Sequence, residues 1–144
     1  VNSIGSPRCI FVYGTLRRGE YNHRWLGNAP WLGRYRTPGR YTLLNLGQYP
    51  AVLAGGHTAI KGEVYTLNKV LLARLDRLEN YPEEYLRERI ATPYGTAWIY
   101  LYRHRPAPDT PVIPSGDWRL ARRLRPAATP IRRLLSPAVS RLGA

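Results

Sequence analysis

Apolar and polar positions divide the chain into short runs of differing period. Residues 9–13 (CIFVY) are continuously apolar, β-branched or aromatic, and the run stops at Gly14, Thr15 and Leu16. That pattern predicts a buried strand over 9–14 ending in a glycine-led turn. Residues 20–28 (EYNHRWLGN) accommodate one helical turn or a loop. Residues 31–36 and 40–46 read as strands around Thr37, Pro38 and Gly39, a type II turn signature that predicts a hairpin. Residues 48–56 are apolar but broken by Pro50 and closed by Gly55 and Gly56, which suits an irregular segment or edge strand. Residues 59–67 alternate, with Ile60, Gly62 and Val64 on one side and Lys61, Glu63 and Tyr65 on the other.

The period then changes. Asn68 is a good N-cap, and Leu71, Leu72, Leu75 and Leu78 fall on one helical face. The helix is expected to end near Asn80, with Pro82 preventing continuation. Residues 85–92 and 96–103 alternate around Pro93, Tyr94 and Gly95, which predicts a second hairpin. Residues 104–117 form a proline-rich loop. Mostly short strands, turns of Pro and Gly, and one helix covering a side predict an α+β fold: a small mixed β-barrel with one main helix and short flanking helices. No internal repeat is visible.

The 144 residues suit one domain, and an apolar fraction of 44% excludes wholesale disorder. The division predicted is a lead-in at 1–8, a domain at 9–118 and an arginine-rich extension at 119–144. No run approaches the ~20 apolar residues that span a bilayer, and the first residues lack the apolar core of a signal peptide. The expected location is cytoplasmic. Cys9 is the only cysteine, which excludes an internal disulfide and a cysteine metal cluster. The formal net charge is +13, and seven arginines with no acid lie between Trp118 and Ala144. More than half of the excess charge therefore sits in the last fifth of the chain.

Two stretches offer chemistry. The turn at 14–16 exposes consecutive backbone N–H groups at a sheet's end, a small anion cradle that Gly14 keeps accessible. The plainer alternative is that Gly14 ends a core strand and that Arg17 and Arg18 are solvated. Glu79 follows Leu78 at the helix C-terminus, where the dipole disfavours an acid. A buried carboxyl there would be a general acid/base with a raised pKa; an exposed one would pair with Arg77 or Arg87. His23, His57 and His104 lack metal-ligand spacing, and neither a nucleophile elbow nor a Walker A loop is present. Cys9 reads as a core filler, and Glu83, Glu84 and Glu88 as solvated charges. Tyr13, Tyr85 and Tyr102 fall on strands, where a hydroxyl can reach a pocket or simply pack.

Four stretches together resemble the γ-glutamylcyclotransferase-like family, in particular its small bacterial branch and the γ-glutamylamine cyclotransferases. They are FVYGTLRRG at 11–19, GEVYTL at 62–67, LDRLENYPEEYLRER at 75–89 and IPSGDWR at 113–119. The resemblance runs from about Cys9 to Arg119. It implies a small barrel and places the γ-glutamyl group of a small-molecule substrate on Tyr13, Gly14, Thr15 and Leu16. It makes Glu79 the catalytic acid/base and sets Tyr85 beside the pocket. The implied reaction releases 5-oxoproline and an amine and needs no metal, nucleotide or other cofactor.

The extension at 119–144 lies outside the resemblance. Ile131, Leu134, Leu135, Ala138, Val139 and Leu142 follow helical spacing among arginines, interrupted by Pro137. A basic amphipathic segment of this kind contacts nucleic acid or anionic membrane, or else it packs on its own domain or stays a mobile solvated extension. The competing reading is a non-catalytic binding module tethered through this extension. No obligate protein partner is implied.

Overall fold

The computed structural model describes residues 6–124, with side chains as far as residue 121. Seven strands are present: β1 (Cys9–Val12), β2 (Trp31–Arg36), β3 (Tyr41–Asn45), β4 (Pro50–Ala54), β5 (Lys61–Thr66), β6 (Tyr85–Thr92) and β7 (Gly95–Tyr102). Helix α1 spans Lys69–Leu78, helix α2 spans Trp118–Leu124, and His23–Leu26 form one 3-10 turn. No described helix is long and apolar enough to cross a membrane.

β1 occupies the middle of a five-stranded sheet of order β2-β5-β1-β7-β6. It runs antiparallel to β5, with Cys9 opposite Thr66 and Val12 opposite Glu63. On its other side it runs parallel to β7, pairing Cys9 with Ala97 and Ile10 with Trp98. Both faces of the strand are covered, which is why its sequence is continuously apolar rather than alternating. Ile10 and Val12 pack with Tyr65, Tyr100 and the α1 residues Leu71 and Leu75. Cys9 and Phe11 pack on the opposite side with Val64, Ile99, Leu43, Val52 and Trp118. Cys9 is buried and free, as a core filler should be.

The sheet is open, not the closed barrel expected. β2 and β6 are its edges, and each has a single neighbour. The first expected hairpin is also absent: β2 pairs with β5 and β3 pairs with β4. Thr37 explains the difference. Its N–H donates to the Ile60 carbonyl, and its Oγ1 accepts from the Ile60 N–H at 2.8 Å. These bonds carry the chain off the sheet edge, so β3 must find its partner in β4. Strands that would have bridged the two edges instead form a separate hairpin. Pro50 stands at the first residue of β4, where its missing N–H is tolerated. The β6–β7 hairpin forms as expected, in register from Tyr85 opposite Tyr102 to Thr92 opposite Gly95. Asn68 caps α1 by accepting the Leu71 N–H at 2.8 Å. The amphipathic segment expected after residue 124 lies outside the described residues.

Glycine at 62 sets how closely β5 approaches β1. A Cβ there would stand 2.3 Å from the Val12 carbonyl oxygen and 2.7 Å from the Phe11 ring. Gly116 meets a similar limit at the foot of α2: its φ is +74° and a Cβ would fall 1.8 Å from the Ala59 carbonyl oxygen. We expect Gly62→Ala to destabilise the fold by about 1–3 kcal/mol, read as a lowered urea midpoint. An unchanged midpoint would contradict the tight β1–β5 packing.

Candidate active site

Leu71 and Leu75 form the buried line of α1, and the next position at the same i+4 step is Glu79. Its side chain is 1% exposed. The exposed, arginine-paired alternative is therefore overturned. Arg77 is exposed, and Arg87 is engaged with Asp76. The helix end is closed by a Schellman arrangement. Asn80 takes φ +56° and donates to the Arg77 carbonyl, while the Tyr81 N–H reaches the Asp76 carbonyl at 2.9 Å. The Glu79 N–H donates to Leu75 at 2.8 Å. The backbone that carries Glu79 is thus held by the helix and its cap together.

Three buried tyrosines lie near enough to this carboxyl to feel its charge. Tyr13 donates its hydroxyl proton to the Tyr100 carbonyl at 2.9 Å and accepts the Val52 N–H at 3.4 Å. Tyr100 donates to Asp76 Oδ1 at 2.7 Å. Asp76 is gripped from the other side by Arg87, through Nε at 2.8 Å and Nη2 at 2.7 Å. The Arg87 guanidinium in turn lies over the Tyr81 and Trp98 rings. Tyr85 is fully buried, and its hydroxyl has no hydrogen-bond partner among the described residues. Burial, then the charge of Glu79, push the Tyr13 and Tyr85 hydroxyls well above the ordinary tyrosine value. Burial and the bond to Asp76 do the same for Tyr100. All three keep their protons through neutral and moderately alkaline pH.

The turn after β1 packs against this cluster through Leu16. Gly14, Thr15 and Leu16 are buried, and the Arg17 N–H donates to the Gly14 carbonyl at 3.0 Å. Thr15 Oγ1 accepts from Asn22 Nδ2 at 3.1 Å, and the Leu16 carbonyl lies 2.9 Å from His23 Nδ1. Leu16 shares an apolar cluster with Leu75, Tyr85 and Tyr100. The structure therefore brings Tyr13, Leu16, Glu79 and Tyr85 into one region, with Gly14 and Thr15 on the connecting turn. Tyr102 is half-buried with its ring edge on Tyr85. Glu83 and Glu88 are exposed and Glu84 is half-buried. Among the described residues, no group of three or more His, Cys, Asp or Glu is placed to hold a metal ion.

Asp76 and Tyr100 support the cluster without having been singled out in the sequence, where the one available signal is the i, i+3 spacing of Asp76 and Glu79; Arg87, a candidate partner of Glu79, pairs with Asp76 instead. Arg17 was expected in solvent but is 5% exposed; Arg18 is exposed, over the Trp31 ring at 3.9 Å. A separate hollow of about 340 Å³ lies between Asn45, Ile113, Pro114, Leu120 and Ala121 and includes none of the expected site residues.

Known proteins are similar to this chain in sequence and in fold. The family model described as gamma-glutamyl cyclotransferase, AIG2-like, matches residues 10–120. A Vibrio cholerae protein provisionally named γ-glutamylcyclotransferase is 49% identical over 109 residues, covering 76% of this chain and 93% of that one. The γ-glutamylcyclotransferase family protein YtfP of Escherichia coli K12 is 45% identical over 109 residues, covering 76% and 94%. The solution structure of E. coli YtfP superposes with a TM-score of 0.64 over 76% of this chain and 95% of that one. The crystal structure of an AIG2-like protein from Mus musculus, 26% identical, superposes at 0.66 over 89% and 100%. The chain belongs to the γ-glutamyl cyclotransferase, AIG2-like family, a family of enzymes.

The raised tyrosine values make a direct test. Each such group contributes stability that is complete below its unfolded value near 10 and is lost as pH rises toward its folded value. In a spectrophotometric titration, the change near pH 10 should fall well short of all eleven tyrosines. The remainder should appear only as the protein unfolds. Ionisation of all eleven near pH 10 in the folded protein would contradict the burial of this cluster.

Proposed function

We propose that the protein is a γ-glutamyl cyclotransferase that acts on a γ-glutamyl amine or peptide, with Glu79 as its general acid/base. The observation that carries this reading is the burial of Glu79 at the end of α1, where its charge acts on Tyr13, the last residue before the 14–16 turn, and on Tyr85. An acid kept dry in that place is disfavoured by the helix dipole, a cost that a proton-transfer role explains.

In this reading the substrate presents an α-ammonium, an α-carboxylate and a γ-carbonyl joined to an amine. The turn of Gly14, Thr15 and Leu16 holds the α-carboxylate, and Tyr13 packs beneath the glutamyl unit. The Glu79 carboxylate takes a proton from the α-ammonium. The freed amine attacks the γ-carbonyl carbon and forms the new C–N bond of a five-membered ring. The old γ-carbonyl–amine bond then breaks as Glu79 returns its proton to the departing amine, and the second surplus proton of the ring nitrogen passes by way of the regenerated Glu79 carboxylate to the released amine, which leaves as an ammonium ion. The products are 5-oxoproline and an amine. Tyr85 stays protonated under the conditions of the reaction and offers its hydroxyl to a substrate oxygen. Because the attack is intramolecular, the protein's main tasks are to hold a folded conformer and to carry two protons from the attacking nitrogen to the departing one.

Glu79→Gln should lower 5-oxoproline release by about 10²–10⁴-fold while circular dichroism and the unfolding midpoint show a folded protein. Full turnover in the folded variant would remove Glu79 from the chemistry.

A further inference from the structure

The 14–16 turn is followed by a second group of buried charges that the proposed chemistry does not use. At its centre is Glu63 on β5, 3% exposed and opposite Val12 in the sheet register. Its Oε1 accepts the Arg18 backbone N–H at 2.8 Å and the Tyr65 hydroxyl at 3.0 Å. Its Oε2 lies 3.4 Å from Arg17 Nε and 4.0 Å from Arg119 Nη2. Arg17 continues the chain of contacts, donating from Nη1 to Asp117 Oδ1 at 3.1 Å. Asp117 also accepts the Arg119 N–H at 3.0 Å, at the start of α2.

These contacts converge on one stretch of backbone. The peptide linking Arg17 to Arg18 has its N–H on Glu63 and its C=O on the Glu20 N–H at 2.9 Å. The Arg17 N–H holds the Gly14 carbonyl. Arg119 donates to the Arg18 carbonyl and, from Nε, to Glu20 Oε2 at 3.1 Å. The turn from Gly14 to Glu20 is therefore tied down at several successive peptide units, and Glu63 holds both the Arg18 peptide N–H and the Arg17 guanidinium.

Buried ion pairs of this kind roughly break even against apolar residues of the same volume. Their gain here lies in geometry. A turn that binds a carboxylate through its amides works only if those dipoles already point at the ligand, and a turn that must be ordered on binding loses affinity. We propose that Glu63 is a positioning residue that holds the 14–18 turn in its substrate-binding shape, with Arg17 linking that turn to the Asp117 end of α2. The inference rests on the reading that the 14–16 turn receives the substrate carboxylate. Glu63 itself touches neither substrate nor Glu79 in this account. Its loss should weaken substrate binding equally in the ground and transition states, raising KM and leaving kcat in place.

Two variants grade the effect. Glu63→Gln retains one acceptor for the Arg18 N–H but loses the charge facing Arg17; Glu63→Ala retains neither. For 5-oxoproline release from a γ-glutamyl amine, KM should rise about tenfold or more in Glu63→Ala and less in Glu63→Gln. The kcat should stay within about twofold of the parent. Peptide-level hydrogen exchange should quicken over residues 13–20 in the same order. Exchange that is unchanged there, or quickened without a rise in KM, would overturn the proposal, as would a fall in kcat at constant KM. If Glu63→Ala does not fold, Glu63→Gln decides. If the parent protein releases no 5-oxoproline, the catalytic reading falls. Exchange over 13–20 then tests by itself whether Glu63 holds the turn.

Discussion

The burial of β1 on both faces is the constraint on which the rest of the molecule depends. One core includes the buried face of α1, the other includes Trp118 of α2, and the β3–β4 hairpin contributes to both. β1 supplies residues to both from only four positions. Because it pairs with β5 on one side and β7 on the other, its end has a fixed place. The glycine turn that follows inherits that place. Gly62 permits the close approach of β5 that brings Glu63 level with Val12, and so within reach of the Arg18 amide.

The second half of the site is fixed from the helix side. The i+4 line of Leu71 and Leu75 turns Glu79 inward, and the cap at Asn80 stops the helix immediately afterwards. Asp76, one turn earlier, anchors Tyr100 through its hydroxyl, and the Tyr100 carbonyl receives the Tyr13 hydroxyl. A single connected path thus runs from α1 through β7 to the last residue before the turn. Helix and turn meet through hydrogen bonds whose members are buried or nearly so, which is how two segments more than sixty residues apart hold one geometry.

The elements legible in the sequence were those set by local pattern. The apolar run at β1, the helix face of α1 with its Asn68 cap, and the β6–β7 hairpin each follow from neighbouring residues. Strand partnership did not. The Pro38 and Gly39 signature predicts a turn, and the chain does turn there, but Thr37 bonds to Ile60 and sends β3 away from β2. Nothing local distinguishes that outcome from a hairpin, and the closed barrel was lost with it. The candidate site was legible to the same degree. The glycine turn and Glu79 stand in short, recognisable stretches, and the burial of Glu79 is implicit in its spacing from Leu71 and Leu75. Arg17 looks like a surface charge because its partners, Glu63 and Asp117, lie 46 and 100 residues further along the chain. Glu63 itself alternates with apolar residues as a solvent-facing position does, and only the sheet order shows that β5 is an interior strand.

On the proposed function, the turn after β1 and the end of α1 form one site for a γ-glutamyl unit. The most direct measurement is backbone amide chemical-shift mapping with 5-oxoproline as the probe. The account predicts shifts concentrated at residues 13–18 and 79–85, the two segments that meet around Glu79. Shifts confined to residues 112–115 and 120–121, around the separate hollow, would contradict it, as would no response at 5-oxoproline concentrations that inhibit turnover.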